Sequence, residues 1–344
     1  MPSTRIVLCY PVEPHHIAAI QAVAPHAEII DAGQEQVAEQ LPTADIFCGH
    51  PKVPVPWDQV VNEGRLQWIQ SSAAGLDHCL VPVVVESPIT VTSASGVLAD
   101  QVAEHALGLA IACTRRLPVF LAQQHAREFV RRPTRDLTGA TVGIIGFGGV
   151  GRRLAEVLRP FRCRILATDY YPVDKPEHVE QLLPPDEIDA VLSEVDVLFL
   201  AAPLTPQTDR MIDAAALAKL RPSTILINVA RGRLVVTEDL VAALERGHLD
   251  CAAVDVTAEE PPHAESPLWT APRLIITPHV AGQSKHRIDA MTDFFCENLR
   301  RYLKGEALVN LVDKRLGFPE PRTRRSQRPP RQQGCGPTPG DERV

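Results

Sequence analysis

Three residues, each a few positions beyond a short aliphatic run, have the types needed to reduce a carbonyl. They are an arginine in Leu226-Ile-Asn228-Val-Ala230-Arg231-Gly232, an acid in Ala253-Val-Asp255-Val-Thr-Ala-Glu259-Glu260-Pro261, and a histidine in Ile276-Thr277-Pro278-His279. A planar guanidinium can hold a carboxylate or polarise a ketone oxygen through two parallel bonds. An imidazole, with a reference pKa of about 6.5, can give up a proton during reduction and recover it during oxidation. A carboxylate beside that ring favours its protonated form. Singly, each residue has a plainer reading as a surface arginine, a solvated loop acid or a histidine capping a strand end. Together, at successive strand ends, Arg231, Glu260 and His279 read as a substrate-binding cation, an orienting acid and a general acid/base.

A reduction needs a hydride donor, and the segment Thr141-Val-Gly-Ile-Ile-Gly146-Phe-Gly148-Gly149-Val150-Gly151 supplies a place for one. It sets GxGxxG between a strand-like run and a helical one. Gly146 permits the tight turn, Gly148 lets the backbone approach a pyrophosphate, and Gly151 allows close helix packing. The helix N-terminus then faces the anion. The next strand-like run ends in Asp169, 18 residues after Gly151. An acid there accepts hydrogen bonds from the adenosine ribose hydroxyls and repels a 2′-phosphate, which favours NAD over NADP.

These residues need elements to hold them. Short β-branched or apolar runs alternate with amphipathic ones along the chain, the pattern of an α/β protein with doubly wound parallel sheets. One series of strands covers residues 6–9, 27–30, 45–48, 66–70 and 89–92, and a second covers 140–145, 164–168, 195–200, 224–228, 252–255 and 274–277. A helical segment from Val97 to about Arg116 bridges the two. A last helix, about Lys285 to Leu303, follows a second sheet already complete, so it is expected to return to the first. The expected units are residues 1–98 with 284–316, residues 99–283, and a Pro/Arg-rich tail over 317–344 whose composition predicts disorder.

The 344 residues suffice for two cores, and 45% apolar with 22% charged residues is a globular composition. The net charge of -7 carries no electrostatic footprint for nucleic acid or anionic membrane. The eight cysteines are scattered, without CxxC pairs or metal-ligand spacing, so no metal site is expected and a reducing compartment is implied. No apolar run reaches the ~18 residues of a membrane helix, and the first residues lack a signal-peptide core. The expectation is a cytoplasmic protein.

From about Arg5 to Leu316 the chain resembles the NAD-dependent D-isomer-specific 2-hydroxyacid dehydrogenase family. The motifs are Gly146-Phe-Gly-Gly-Val-Gly151, Ala202-Pro203-Leu204-Thr205-Pro206-Gln207-Thr208, Asn228-Val-Ala-Arg231-Gly232, Asp255-Val-Thr-Ala-Glu-Glu260-Pro261 and Pro278-His279. The resemblance implies a Rossmann NAD-binding domain inserted into a flavodoxin-like substrate domain, and a homodimer. It implies that Arg231 binds the substrate carboxylate and carbonyl, that His279 is the acid/base and that Glu260 tunes it. Backbone amides of Gly149 and Val150 would meet the pyrophosphate, Ala202, Pro203, Thr208 and Ala230 would line the cofactor cleft, and Asp255 would meet the nicotinamide. Ala74 and Gly75, in Ser71-Ser-Ala-Ala-Gly-Leu-Asp77, would hold a small-molecule 2-oxo or 2-hydroxy acid by its carboxylate. Ser71 stands where relatives acting on phosphorylated glycerate often carry a basic residue, which points away from a phosphate-bearing substrate. Two other readings share the fold: an NAD(H)-sensing scaffold like the corepressors built on it, with the basic tail as partner-binding element, and a formate or phosphite dehydrogenase.

Overall fold

A computed structural model describes residues 3–324. The first sheet comprises β1 (Arg5–Cys9), β2 (Glu28–Asp31), β3 (Ile46–Gly49), β4 (Trp68–Ser71) and β5 (Thr90–Thr92). All pairings are parallel and the spatial order is β2-β1-β3-β4-β5, the flavodoxin-like arrangement. Strands β3 and β4 are buried at every position because helices cover both faces. Val7, Phe47 and Ile69 point to one face, and Ile6, Leu8, Ile46 and Trp68 to the other. The second face is covered by the helix Arg287–Leu303 through Phe295, Cys296 and Leu299. Trp68 stacks on Tyr302 at 5.0 Å and meets Phe295 at 5.6 Å between ring centroids. Each such fully buried side chain stabilises the fold by about 1.5–3 kcal/mol.

The second sheet holds β6 (Thr141–Ile145), β7 (Arg164–Thr168), β8 (Gln181–Leu183), β9 (Val197–Leu200), β10 (Thr224–Asn228), β11 (Leu249–Val254) and β12 (Leu274–Ile276). They run parallel in the order β12-β11-β10-β9-β6-β7-β8. This is the doubly wound Rossmann order with one added strand. The sequence predicts six strands here, and the seventh is β8. It is three half-buried residues at the sheet edge, between Pro176 and Pro184, and too short to show a periodicity.

The bridging helix runs Ala99–Thr114 and a second, Leu117–Ala126, follows a left-handed residue at Arg116. Ala103, Ala106, Leu109, Ala110 and Cys113 share a core with Phe147, Leu154 and Ala155, small residues letting the helices lie close. Cys113 Sγ sits 2.9 Å from Cys251 Sγ, and the seven cysteines among the described residues are free thiols.

Beyond the last helix, β13 (Val312–Asp313) and β14 (Phe318–Pro319) pair antiparallel. Residues 317–324 therefore carry structure where composition predicts none. The reason is a tertiary contact: Phe318 packs its ring against Tyr170 and Tyr171, at 5.4 and 6.2 Å between centroids. The rest of that segment, residues 325–344 with Cys335, lies outside the described residues. Among the described residues no helix is long and apolar enough to cross a membrane.

Candidate active site

Asn228, Val254 and Ile276 are register partners at the carboxyl ends of β10, β11 and β12. The three loops that follow therefore leave the sheet side by side, at the edge where open α/β sheets bind ligands. Arg231, Glu260 and His279 lie on these loops. Asn228 is 1% exposed and shapes the first of them, accepting from the Ala230 amide at 3.1 Å and donating to the Arg231 carbonyl at 2.9 Å.

His279 Nδ1 and Glu260 Oε2 are 2.6 Å apart, and the other carboxylate oxygen of Glu260 accepts from the Thr257 amide at 3.2 Å. With Nδ1 engaged by the carboxylate, Nε2 is the nitrogen left to exchange a proton. His279 has φ +53°, a conformation that costs a non-glycine residue of order 1–3 kcal/mol. Asp255 offsets this. Its carbonyl accepts from the His279 amide at 2.7 Å, and its carboxylate accepts from Thr277 Oγ1 at 2.6 Å and from the amides of Val280 and Ala281, each at 2.9 Å. His105, on the bridging helix, joins through Thr277 Oγ1 at 3.0 Å. Asp255, predicted to meet the cofactor, is thus 1% exposed and occupied with the loop that carries His279. Sequence reasoning gives no part to Thr277 or His105: Thr277, two residues before His279, is a hydrogen-bonding type in the right place, whereas His105 lies 172 positions from Thr277 and carries no local signal.

Arg231 crosses to the first sheet. Its Nε lies 3.3 Å from Asp77 Oδ2 and its Nη1 donates to the Ala230 carbonyl at 2.7 Å. Its guanidinium lies so close over Gly75 that a Cβ there would fall 1.6 Å from Nη2, so a larger residue would displace the guanidinium from this position. Ala74, next to it, is exposed. The loop 71–77 and the loop after β10 thereby form one wall.

Behind that wall His50 and His78 stack at 4.1 Å between centroids, although a surface position is the simplest reading of His50 from sequence. Burial, then the His50 ring and Arg231, push His78 down to about 3, and burial with Lys52 and Arg231 lowers His50. A histidine whose folded pKa lies below its unfolded value takes up protons on unfolding, so its contribution to stability is lost as pH falls from about 6.5 towards 3. The thermal midpoint is accordingly expected to drop between neutral pH and about pH 5. His78→Gln should flatten that slope, and equal slopes in the two proteins would refute the assignment.

At the same carboxyl edge, directly after β6, Gly146 adopts φ +94° with the backbone of Ala202 against its α-carbon, where a Cβ would come 2.5 Å from the Ala202 amide nitrogen. Gly148 caps the helix Gly149–Leu158, which contains Val150 and the buried Gly151. The space next to Gly148 is open: a Cβ there would meet no atom within 4 Å. Asp169 receives the Phe147 amide at 2.8 Å and the Tyr171 amide at 2.9 Å. The arrangement fits a dinucleotide: an open backbone cradle at a helix N-terminus and a carboxylate at the end of the next strand. Ala202 and Ala230 are nearly buried, Pro203 is exposed, and Thr208 Oγ1 is used within its own loop, donating to the Pro203 carbonyl at 2.7 Å and accepting from the Thr205 amide at 2.8 Å.

One group elsewhere brings metal-ligand types together among the described residues: His15, His16 and Asp289. There His16 Nδ1 accepts from the Glu13 amide at 2.9 Å and its Nε2 faces Asp289 at 2.8 Å, so both ring nitrogens serve the packing of two helices.

Residues 107–281 match the family described as D-isomer specific 2-hydroxyacid dehydrogenase, NAD binding domain. A glyoxylate reductase from Thermofilum pendens is 34% identical over 263 residues, 73% of this chain and 76% of that protein. A glycerate dehydrogenase from Methylorubrum extorquens is 32% identical over 282 residues, 79% of this chain and 87% of that one. Among solved structures, a D-isomer specific 2-hydroxyacid dehydrogenase from Xanthobacter autotrophicus Py2, in complex with NADPH and MES, superposes with a TM-score of 0.79 at 26% identity, covering 92% of this chain and 100% of that chain.

Proposed function

The chain belongs to the D-isomer specific 2-hydroxyacid dehydrogenase family, oxidoreductases acting on CH–OH groups, and from that premise we propose that it interconverts a small 2-oxo acid and its (R)-2-hydroxy acid with NAD(H). The observation that carries this reading is the 2.6 Å pairing of His279 Nδ1 with Glu260, on loops that leave the sheet beside the one bearing Arg231. The bound nicotinamide supplies or accepts the hydride. Arg231 holds the substrate carboxylate and polarises the carbonyl, assisted by the backbone of Ala74 and Gly75. His279 Nε2 delivers the proton to the carbonyl oxygen during reduction and removes it during oxidation. Glu260 fixes the ring's orientation and stabilises the imidazolium.

The cofactor lies along Gly146, Gly148, Gly149, Val150 and Gly151, flanked by Ala202, Pro203, Thr208 and Ala230. Asp169 faces the adenosine ribose and favours NAD(H) over NADP(H), since its charge opposes a 2′-phosphate. Asp255 acts chiefly by positioning His279. Residues 1–98 with 284–316 form the substrate domain and 99–283 the NAD-binding domain. The latter makes the contact of a homodimer, a reading supported by the exposed apolar side chains Leu117, Leu121, Phe129 and Val130. The free thiols fit a cytoplasmic setting.

The test is NADH consumption across 2-oxo acids of graded size and polarity, glyoxylate and hydroxypyruvate included. Reduction of at least one member is the expected result. Silence across the panel, with NADH binding demonstrated by fluorescence, would refute the 2-oxo acid reading and favour a formate- or phosphite-type dehydrogenase or a nucleotide-sensing scaffold.

A further inference from the structure

Asp169 is not bare. Besides the amides of Phe147 and Tyr171, its Oδ1 receives Nη2 of Arg324 at 3.2 Å, from a residue 155 positions away. The approach is built rather than incidental. The Asn310 amide donates to the Thr323 carbonyl at 2.6 Å, Thr323 Oγ1 donates to the Leu311 carbonyl at 3.2 Å, and the Arg324 guanidinium lies 6.0 Å from the centre of the Tyr171 ring. With Phe318 seated against Tyr170 and Tyr171, the whole strap after β13 is fastened to the end of β7.

Two features around Asp169 point to a ligand. Arg324 Nη1 is buried and has no hydrogen-bond partner among the described residues, an unmet donor beside the carboxylate that faces the ribose. A second guanidinium, Arg152, lies 5.0 Å over the Phe147 ring and donates to the carbonyls of Val173 and Asp174, each at 2.7 Å. Burial and the charge of Arg324 both push the Arg152 pKa down, and Asp169 and Asp174 raise it. Two carboxylates among two guanidinium ions leave no net charge where Asp169 alone would leave a negative one. A site without that negative charge no longer repels a phosphate, and a guanidinium donor can bind one.

We propose that Arg324 is a specificity residue for the cofactor: by pairing with Asp169 and offering Nη1, it opens the ribose end of the site to a 2′-phosphate, so that the chain binds NADP(H) as well as NAD(H). This rests on the reading of residues 146–169 as a dinucleotide site. It narrows the preference that Asp169 imposes, and it assigns the strap after β14 to the cofactor site.

The experiment is fluorescence titration of the full-length chain with NADH and NADPH, without substrate, for wild type, Arg324→Gln and Arg324→Lys. Wild type is expected to bind both cofactors. Loss of one charge-assisted contact should weaken NADPH by about 10–100-fold in Arg324→Gln, with NADH affinity held or improved, and Arg324→Lys should recover part of the loss. Asp169→Asn combined with Arg324→Gln should restore NADPH binding relative to Arg324→Gln alone, because the uncovered charge is gone. A wild type that binds NADH alone, or a ratio of the two affinities that Arg324→Gln leaves unmoved, overturns the proposal. Equal weakening of both cofactors also overturns it, leaving Arg324 as a structural clamp. Failure of wild type to bind either cofactor would instead remove the dinucleotide reading, and the proposal with it.

Discussion

Replacing His279 with alanine is expected to lower turnover by about 10²–10⁴-fold, the usual contribution of a positioned acid/base, while NADH binds as before. The two readouts separate because the imidazole sits on the loop after β12, whereas the glycine cradle and Asp169 belong to β6 and β7 on the other side of the sheet's switch point. Alanine also relieves little of the loop's structure. The Asp255 carboxylate is bonded to Thr277 and to the amides of Val280 and Ala281, none of which involves the imidazole. Steady-state rates with the best 2-oxo acid, together with NADH titration, check this. A variant that keeps more than about a tenth of wild-type turnover would remove His279 from proton transfer.

The second large effect is expected at Arg231. Arg231→Ala should raise KM and lower kcat together, reducing kcat/KM by about 10³-fold or more, since one side chain both binds the ground state and stabilises charge on the carbonyl oxygen. Arg231→Lys should rescue little, because an ammonium cannot reproduce two parallel bonds to a carboxylate. The fold should tolerate the change: the pair with Asp77 is half-exposed, with that carboxylate 56% accessible, and such pairs contribute little to stability. A rise in KM at unchanged kcat would mean that Arg231 binds the carboxylate and leaves the carbonyl alone.

Elements whose residues are buried by their own sheet announce themselves in sequence. Val197–Leu200 and Thr224–Asn228 are short, unbroken buried runs, and a parallel sheet covered on both faces requires such runs. The glycine turn and the three residues beyond β10, β11 and β12 are legible for a related reason: they are local to strands that can be seen. What escapes is made by distance. Strand β8 exists because β7 offers it an edge, not because Gln181-Leu-Leu183 favours extension. The stack of His50 on His78 joins the ends of two loops, and His105 reaches Thr277 across 172 positions of chain. Arg324 stands in a Pro/Arg-rich run, and composition averages over burial, so it cannot register one ion pair to a carboxylate 155 positions away in the chain.

The helix Arg287–Leu303 is the last long element of the described chain, yet it covers a face laid down by the first. As the protein leaves the ribosome, β1 to β5 emerge early, and although Ile20 and Ala24 cover part of that face, the part around Trp68 that meets Phe295 and Tyr302 stays uncovered until everything up to residue 303 has been translated. The second sheet, contiguous in the chain, can close in the meantime. The N-terminal sheet thus spends most of synthesis as the exposed partner, and a chain cut short before residue 287 would leave Trp68 and its neighbours open to association with other nascent chains.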